Sequence, residues 1–339
     1  MSGHGSYAAA KSGPGSEITD EKLYPQFFIA RPRRACHREV RMKYYYTTEV
    51  RDHEGRRRSF NALTRRTFHF DFREWYASGH WGESYIPHVL LDGERVLSNV
   101  SVNLMRFDDC GRERNYIQLG TVMTDPDFRG QGLNREIMER VLEEYAGRAD
   151  GIYLFGNDSA VDYYPKFGFV PVKEYESWMP CRENGAEPYG LKKLDPDRPE
   201  HRRRLCGLME EYEIREDARN ENDGLYLSDN MGLYWFWIAA EYGKQICYIP
   251  ETGNCAVLSY NGKKLYITQI FGKQKLDLFR LAKSFGEDVE EVVLEYTPAD
   301  REAFQTREYR EEDCTLFVLG QELLRTEQEK MRFPAMSHA

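Results

Sequence analysis

The chain has 339 residues, of which 41% are hydrophobic and 30% are charged, and its formal net charge is −9. This length suits two compact domains, because one domain usually holds about 100–200 residues. No apolar run approaches the roughly 20 residues of a membrane-spanning helix, and the first residues lack the apolar core of a signal peptide. The composition therefore predicts a globular, cytoplasmic protein and argues against a membrane protein.

Cysteine and histidine spacing argues against a disulfide framework and against a metal site. The seven cysteines are odd in number and nowhere form a Cys-x-x-Cys pair, and the eight histidines form no His-Glu-x-x-His pattern. We therefore expect no metal. Residues 1–20 include a stretch rich in Gly, Ser and Ala and are predicted to form a flexible tail.

Arginines are concentrated in the N-terminal part of the chain. No aromatic or nucleic-acid-binding motif accompanies them, so a solvated face is favoured over an RNA-binding surface. The residues concerned are Arg31, Arg33, Arg34, Arg38, Arg41, Arg51, Arg56, Arg57, Arg58, Arg65 and Arg66.

A glycine-containing loop at residues 128–134 (FRGQGLN) lies between a predicted strand and a predicted helix. The strand, residues 116–124, is rich in β-branched and aromatic side chains. The helix, residues 132–145, repeats apolar residues on one face. A helix that begins on glycine leaves its first N–H groups free to bind an anion such as a pyrophosphate.

A second motif follows the next predicted strand, residues 151–155. Residues 157–169 (NDSAVDYYPKFGF) combine an Asn, an Ala, two adjacent tyrosines and a Gly-Phe pair at fixed spacing. In this order and spacing the two motifs resemble the signatures of the GNAT superfamily of acetyl-CoA-dependent N-acetyltransferases. Asn134, where the family prefers Gly or Ala, and Pro165, after the second tyrosine, depart from the pattern.

The resemblance implies an α/β GNAT fold, which is a mixed, mostly antiparallel sheet flanked by helices. In the first unit, residues 21–181, we predict a strand at 42–50, a helical region at 57–81 and hairpin strands at 85–91 and 95–107. The strand and helix around the loop follow, then strand 151–155, a short helix from Ser159 and a hairpin at 169–179.

A second unit, residues 189–325, repeats this order of predicted elements. Residues 84–87 and 247–250 open comparable strands, and each strand is followed by a Val-Leu-Ser triplet. The second unit has only residues 272–275 (GKQK) where the first has its glycine loop. We therefore predict two tandem GNAT-like domains, the second degenerate, a polar linker at 181–190 and a C-terminal tail at 326–339.

The resemblance also implies roles for individual residues. Tyr164 occupies the position of the general acid that protonates the coenzyme A thiolate, with aromatic packing as the alternative. Asn157 would contact the coenzyme arm, or alternatively cap a helix. The predicted acetyl-CoA-binding residues are Val122, Met123, Thr124, Arg129, Gly130, Gln131, Gly132, Leu133, Asn134 and Asn157.

The general base is the open point of this interpretation. Some family members place a Glu on the strand before the phosphate loop, where this chain has Gln118, and a carboxamide can orient a water but cannot take its proton. Deprotonation through water to Glu83 is one hypothesis, and arrival of the amine in neutral form is another. Glu83 lies near the end of an aromatic-rich region, residues 68–85, that is expected to border the acceptor.

The predicted function is transfer of an acetyl group from acetyl-CoA to a primary amine of a small molecule or peptide by direct attack. The alternatives are transfer of another acyl group and a coenzyme-A-binding sensor or scaffold without turnover. The second domain would shape the acceptor cleft or form a homodimer surface. We expect neither membrane nor nucleic-acid binding.

Overall fold

The computed structural model describes residues 43–181, 185, 187–213 and 224–338. The predicted N-terminal tail, the arginines from Arg31 to Arg41 and part of the predicted linker lie outside these residues. Within them, no helix is long and apolar enough to cross a membrane.

The elements of the first half follow the predicted order closely. They are β1 (Tyr45–Thr47), α1 (Glu54–Phe68), α2 (Arg73–Ala77), β2 (Tyr85–Asp92), β3 (Arg95–Asp109), β4 (Arg112–Thr124), α3 (Leu133–Tyr145), β5 (Gly151–Gly156), β6 (Val170–Val172) and β7 (Glu174–Pro180). Short 3-10 helices at Pro126–Phe128, Asp158–Ala160 and Tyr164–Phe167 connect some of them.

The second half continues with a similar mixture of helices and strands. Its elements are β8 (Lys192–Lys193), α4 (Pro199–Glu213), β9 (Leu225–Ser228), α5 (Met231–Ala240), β10 (Ile246–Ile249), β11 (Asn254–Tyr260), β12 (Lys264–Phe271), α6 (Leu278–Lys283), β13 (Glu291–Leu294), β14 (Gln305–Tyr309), β15 (Thr315–Leu319) and α7 (Gln321–Gln328).

Two mixed, mostly antiparallel sheets organise these elements, as predicted. The first has the order β1-β2-β3-β4-β5-β15-β6, with β9 paired to β3, and the second has the order β14-β7-β13-β12-β11-β10-β8. In the first sheet β2, β3 and β4 are antiparallel, and β5 then joins β4 in parallel after α3. In the second sheet β10, β11, β12 and β13 repeat this arrangement around α6.

Each half also places a strand inside the sheet of the other, in addition to β9 at the side of β3. β7, from the first half, lies in the second sheet between β13 and β14. β15, from the second half, lies in the first sheet between β5 and β6. The predicted hairpin at 169–179 is therefore wrong, because β6 and β7 pair with strands of different sheets instead of with each other.

The C-terminal segment is packed between the two sheets, so the predicted tail at 326–339 is also wrong. Met331, Phe333 and Met336 are buried in a core cluster that includes Tyr153 of β5. Backbone hydrogen bonds from Tyr175 to Met331 O (2.9 Å) and from Ala335 to Glu295 O (3.0 Å) fix the segment to both halves. The apolar residues of this segment form no periodic pattern long enough to predict a helix or a strand, so local sequence gives no sign of their burial.

Candidate active site

A cavity of about 1150 Å³ lies at the open end of the first sheet. One wall is the C-terminal part of β4 with the loop that follows it, and a second is the end of β5 with the two tyrosines of the second motif. Aromatic residues from the α2 region and from α5 form the rest. The cavity thus joins both sequence motifs to a surface supplied by the second half.

A β-bulge interrupts β4 at the cavity. Ser101 pairs with Gly120 and Asn99 with Met123, so two residues of β4 lie opposite one residue of β3. Thr121, in the bulge, has a φ of 40°, and its Oγ1 lies 2.7 Å from the Tyr85 hydroxyl. A bulge leaves backbone groups unpaired, and these can bind an extended ligand arm.

The loop that was predicted to bind phosphate leads into α3, and the start of that helix is exposed and open. Gly130 and Gly132 have φ values of 76° and 79°, which favour glycine, and a Cβ built at either position meets no atom within 4 Å. Among the hydrogen bonds of the described residues, none uses the N–H groups of Gly130 to Asn134. These N–H groups and the nearby Arg129 suit a pyrophosphate.

Asn134 has a structural role that accounts for its departure from the family pattern. Its Nδ2 donates to Asn99 O at 3.1 Å, and its Oδ1 accepts from the Tyr163 hydroxyl at 2.8 Å. The side chain therefore links the start of α3 to β3 and to the second motif, while its backbone N–H stays available at the helix start.

Tyr164 lines the cavity from the start of a 3-10 helix. Pro165 is accommodated there because the first turn of a helix needs no N–H donor. The ring of Tyr164 packs against Phe317 of the exchanged strand β15, with centroids 5.3 Å apart. Burial raises the pKa of Tyr164 to about 12, so the phenol is protonated at neutral pH.

Asn157 lines the same cavity between β5 and the next 3-10 helix. Its side chain makes no capping hydrogen bond to that helix and instead accepts from Ser159 Oγ at 2.9 Å. The position therefore agrees better with a ligand contact than with helix capping.

The two residues suggested for deprotonation do not reach the cavity. The Glu83 side chain is 90% exposed and pairs with Arg51 at 2.6 Å on the surface. Gln118 is fully buried in β4 and is absent from the cavity wall. The hypothesis of a water-mediated route to Glu83 is therefore wrong, since that carboxylate faces solvent outside the cleft.

Aromatic side chains and two carboxylates line the acceptor side. Phe72 and Trp75 are buried there, as expected of core residues, whereas Phe68 and Phe70 stay partly exposed. Asp71 pairs with Arg65 and with Arg73. The whole group consists of Phe68, Phe70, Asp71, Phe72, Glu74, Trp75, Phe236 and Trp237.

Sequence reasoning missed the contribution of α5 and of the C-terminal segment. The Trp237 Nε1 donates to His338 O at 2.7 Å, and the His338 ring stacks on Phe155 at 3.8 Å between centroids. The aromatic run at 234–237 (YWFW) was the available signal for α5, whereas nothing local marks His338.

Comparisons with known proteins find similarity in the part of the chain that holds this cavity. The family model described as the acetyltransferase (GNAT) family matches residues 47–169. That segment holds both motifs and most of the first sheet, so this part of the chain is similar to the GNAT family. No curated protein matches the chain.

Solved structures are similar to this chain at low sequence identity. A probable N-acyltransferase of Enterococcus faecalis V583 is 14% identical with a TM-score of 0.53, over 85% of this chain and 75% of that one. Eis1 of Mycobacterium abscessus is 13% identical with a TM-score of 0.48, over 80% and 72%. A GNAT family acetyltransferase of Brucella melitensis, solved with acetyl-CoA, is 21% identical with a TM-score of 0.31, over 38% and 82%.

The fold prediction is thus confirmed: the chain has a mixed α/β GNAT architecture, and its two sheets fit tandem GNAT-like domains. The family match also supports acyl transfer from an acyl-coenzyme A to an amine as the class of reaction.

Proposed function

We propose that this protein transfers an acetyl group from acetyl-CoA to a primary amine by direct attack. The observation that carries the proposal is the single cavity that joins Arg129 and Asn134 of the phosphate loop, the bulge of β4 and Tyr164. An anion site, a strand edge and a phenol in this order match the three parts of an acyl-coenzyme A: pyrophosphate, pantetheine arm and thioester.

The coenzyme would be held mainly by backbone groups. Its pyrophosphate would lie at the start of α3, where the N–H groups of residues 130–134 meet the positive end of the helix dipole. Its pantetheine arm would run along Val122, Met123 and Thr124, and Asn157 would contact it from the end of β5. The side chain of Met123 remains buried in the core, which a backbone contact permits.

In the reaction, the amine nitrogen attacks the thioester carbonyl carbon, and the carbon–sulfur bond breaks. Tyr164 would donate its proton to the departing thiolate, because its raised pKa keeps the phenol protonated. None of the hydrogen bonds among the described residues occupies this hydroxyl, so it is free to face the sulfur. The aromatic wall and its carboxylates suit a cationic amine with an apolar body.

The test is amine-dependent release of free thiol from acetyl-CoA by the purified chain. The panel would contain 2-phenylethylamine, tryptamine, polyamines, aminoglycosides, amino acids and peptides, and acetyl-CoA binding would be measured separately by calorimetry. Release with one amine class supports the proposal, and propionyl-CoA or longer acyl-CoAs in the same assay would reveal a preference for another acyl group. No binding of acetyl-CoA would contradict the proposal.

Tyr164→Phe tests the acid. We expect kcat to fall by about 10²–10⁴-fold with unchanged acetyl-CoA affinity, the usual effect of losing a proton donor. Tyr145→Phe is the matched control, because its hydroxyl lies near His88 and the residue does not line the cavity. Unchanged turnover in Tyr164→Phe would remove the acid assignment.

A sensor or scaffold that binds coenzyme A without turnover is the second candidate. It is favoured by one observation, the absence of Gln118 and Glu83 from the cavity wall. Tight acetyl-CoA binding with no thiol release from any amine in the panel would support it.

A further inference from the structure

Three polar side chains form a row across the first sheet, on the face that packs against the second half. Gln118 of β4 pairs in register with Asn103 of β3 and with Tyr153 of β5. All three residues are buried to 1% exposure or less. We call these residues the polar row.

The polar row contains unpaired hydrogen-bonding atoms. Both amide atoms of Gln118, Nδ2 of Asn103 and the hydroxyl of Tyr153 make no hydrogen bond of normal geometry among the described residues, although Ser337 lies close enough to the Tyr153 hydroxyl to lower its pKa. Each such atom costs on the order of 1–3 kcal/mol when it is left unsatisfied. Three adjacent residues of this kind are typical of a site that holds buried water, which binds two to four polar groups at once.

One side of the polar row adjoins the cavity. Gly120 and Phe155 line the cavity. Gly120 lies two residues after Gln118 on β4, and Phe155 lies two residues after Tyr153 on β5, a step of about 7 Å in each case. Side chains two apart share a face of the sheet, and Gly120 has no side chain to separate Gln118 from the cavity. Water bound at Gln118 therefore lies next to the place where an acceptor amine meets the thioester.

Tyr153, at the β5 end of the polar row, approaches a buried carboxylate. This is Glu174, at the start of β7. Tyr153 stacks on Phe333 with centroids 4.4 Å apart, and the Phe333 N–H donates to Glu174 Oε1 at 2.9 Å. Glu174 is 7% exposed, and burial raises its pKa to about 7. The pKa of Tyr153 is raised mainly by burial, and the charge of Glu174 adds to this effect.

Other charged and titratable groups surround Glu174. Arg332 of the C-terminal segment favours its ionised form and Glu311 opposes it. The groups that act electrostatically with Glu174 are Arg332, Glu311, Tyr153, Tyr309 and Cys314.

We propose that Glu174 is the proton acceptor for the attacking amine, acting through the Tyr153 hydroxyl and water held by Gln118. This inference rests on the proposed acetyl transfer. As the nitrogen bonds to the thioester carbon, it gives a proton to the water; the water gives one to Tyr153, and Tyr153 gives its own to the Glu174 carboxylate. Water and Tyr153 end unchanged, Glu174 ends protonated, and it releases the proton by the reverse route after the product leaves.

This proton route from the amine through water and Tyr153 to Glu174, which we call the relay, accounts for two features of the chain together. A glutamine stands on the strand before the phosphate loop because it orients water and need not accept the proton itself. The carboxylate comes instead from β7, the strand that the first half places in the second sheet, and the buried C-terminal segment closes this route from solvent.

Glu174→Gln tests the relay most directly. Glutamine keeps an oxygen that can accept from the Phe333 N–H, so the fold is preserved while the proton acceptor is lost. In the wild type, kcat at saturating 2-phenylethylamine, or at the most active amine of the panel, is expected to rise with pH through about 7. In Glu174→Gln we expect this limb to disappear and kcat to fall by about 10-fold or more, with acetyl-CoA KM unchanged.

Glu176→Gln is the matched control on the same strand, because its carboxylate pairs with Arg307 away from the row. It should keep both kcat and the pH profile. Tyr153→Phe and Gln118→Leu interrupt the row without removing a protein hydrogen bond, so we expect lower kcat at equal or higher melting temperature. A structural role alone would leave kcat unchanged in both.

A rescue experiment completes the test. Gln118→Glu places a carboxylate beside the cavity, and added to Glu174→Gln it should restore part of kcat. An active wild type whose Glu174→Gln and Tyr153→Phe variants keep kcat and the rising limb would overturn the relay alone. A wild type without thiol release from any amine would overturn the proposed acetyl transfer, and the relay with it.

Discussion

The starts of α3 and α6 differ in whether a side chain pairs with their first N–H groups, and this bears on what each helix could bind. Both helices connect an antiparallel strand to its parallel neighbour, at equivalent places in the two sheets. α3 begins after Gly132, which offers no capping side chain. α6 begins after Asp277, whose carboxylate accepts from the N–H groups of Phe279 (3.0 Å) and Arg280 (3.2 Å).

The carboxylate of Asp277 occupies the position that a phosphate would take at α6. It satisfies the N–H groups that an anion needs, and its negative charge would repel a phosphate. α6 is also short, at 6 residues against 13 in α3. The strand order of the two halves is thus alike, while the free helix start that suits a coenzyme is present in the first half.

Gly132→Trp should block the free helix start of α3, and it is the largest effect on coenzyme binding that we predict. A side chain at this position projects into the open space in front of the helix, where the pyrophosphate would bind. We expect acetyl-CoA affinity to fall by about 100-fold or more, as for the loss of two charge-assisted contacts, measured by calorimetry.

Gly93→Trp is its control, because Gly93 also has a positive φ (60°) and open space around its Cβ position, but lies in the turn between β2 and β3. It carries the same backbone strain away from the site. Equal loss of affinity in both variants would mean that strain, and not blockage of the helix start, is responsible.

Glu174→Gln should show how much the buried carboxylate on the exchanged strand β7 lowers the free energy of unfolding. The pKa of Glu174 is about 7 in the folded chain against an ordinary 4.5, so between these values the folded state binds more protons than the unfolded state. The free energy of unfolding therefore falls as pH rises through this window, by about 3 kcal/mol in total.

The glutamine variant lacks this titration and should be more stable than the wild type at pH 8, with the advantage vanishing near pH 5. Urea unfolding at both pH values would measure it. A constant difference between the two proteins from pH 5 to pH 8 would show that Glu174 does not titrate in this range.

Asp277→Ala should have the smallest effect. Loss of the cap is expected to lower the free energy of unfolding by about 1 kcal/mol, while acetyl-CoA stoichiometry stays at one per chain. Asp300→Ala is the control, since Asp300 precedes a 3-10 helix without a side-chain hydrogen bond to it. A second binding event in Asp277→Ala would show that the cap alone had excluded the coenzyme.

The sequence predicted those parts of the site that depend on neighbouring residues. The loop at 128–134, the strand before it, α3 after it and the two tyrosines are each defined by turn chemistry or periodicity over a short stretch. The sheets were predictable for the same reason, because most of their strands are short runs rich in β-branched and aromatic residues and several are joined by short turns.

The remaining features depend on contacts between distant residues. β15 pairs with β5 across more than 150 positions of chain, and no local pattern encodes that choice over a hairpin. The C-terminal segment is buried by elements from both halves, and Glu174 approaches Tyr153 only through Phe333 of that segment. Glu83 was suggested by its place in an aromatic region, but whether a residue at the edge of such a region faces the cleft or solvent is decided by tertiary packing.

The exchange of β7 and β15 bears on how the chain folds during synthesis. A nascent chain that has emerged only through β6 lacks the strand that lies between β5 and β6, and it lacks Phe317, which packs on Tyr164. The first half therefore cannot complete its fold while the second is still being translated, although domains of a chain commonly fold in order from the N-terminus. The two halves therefore depend on each other to fold, and β15 must be translated before the proposed active site can form.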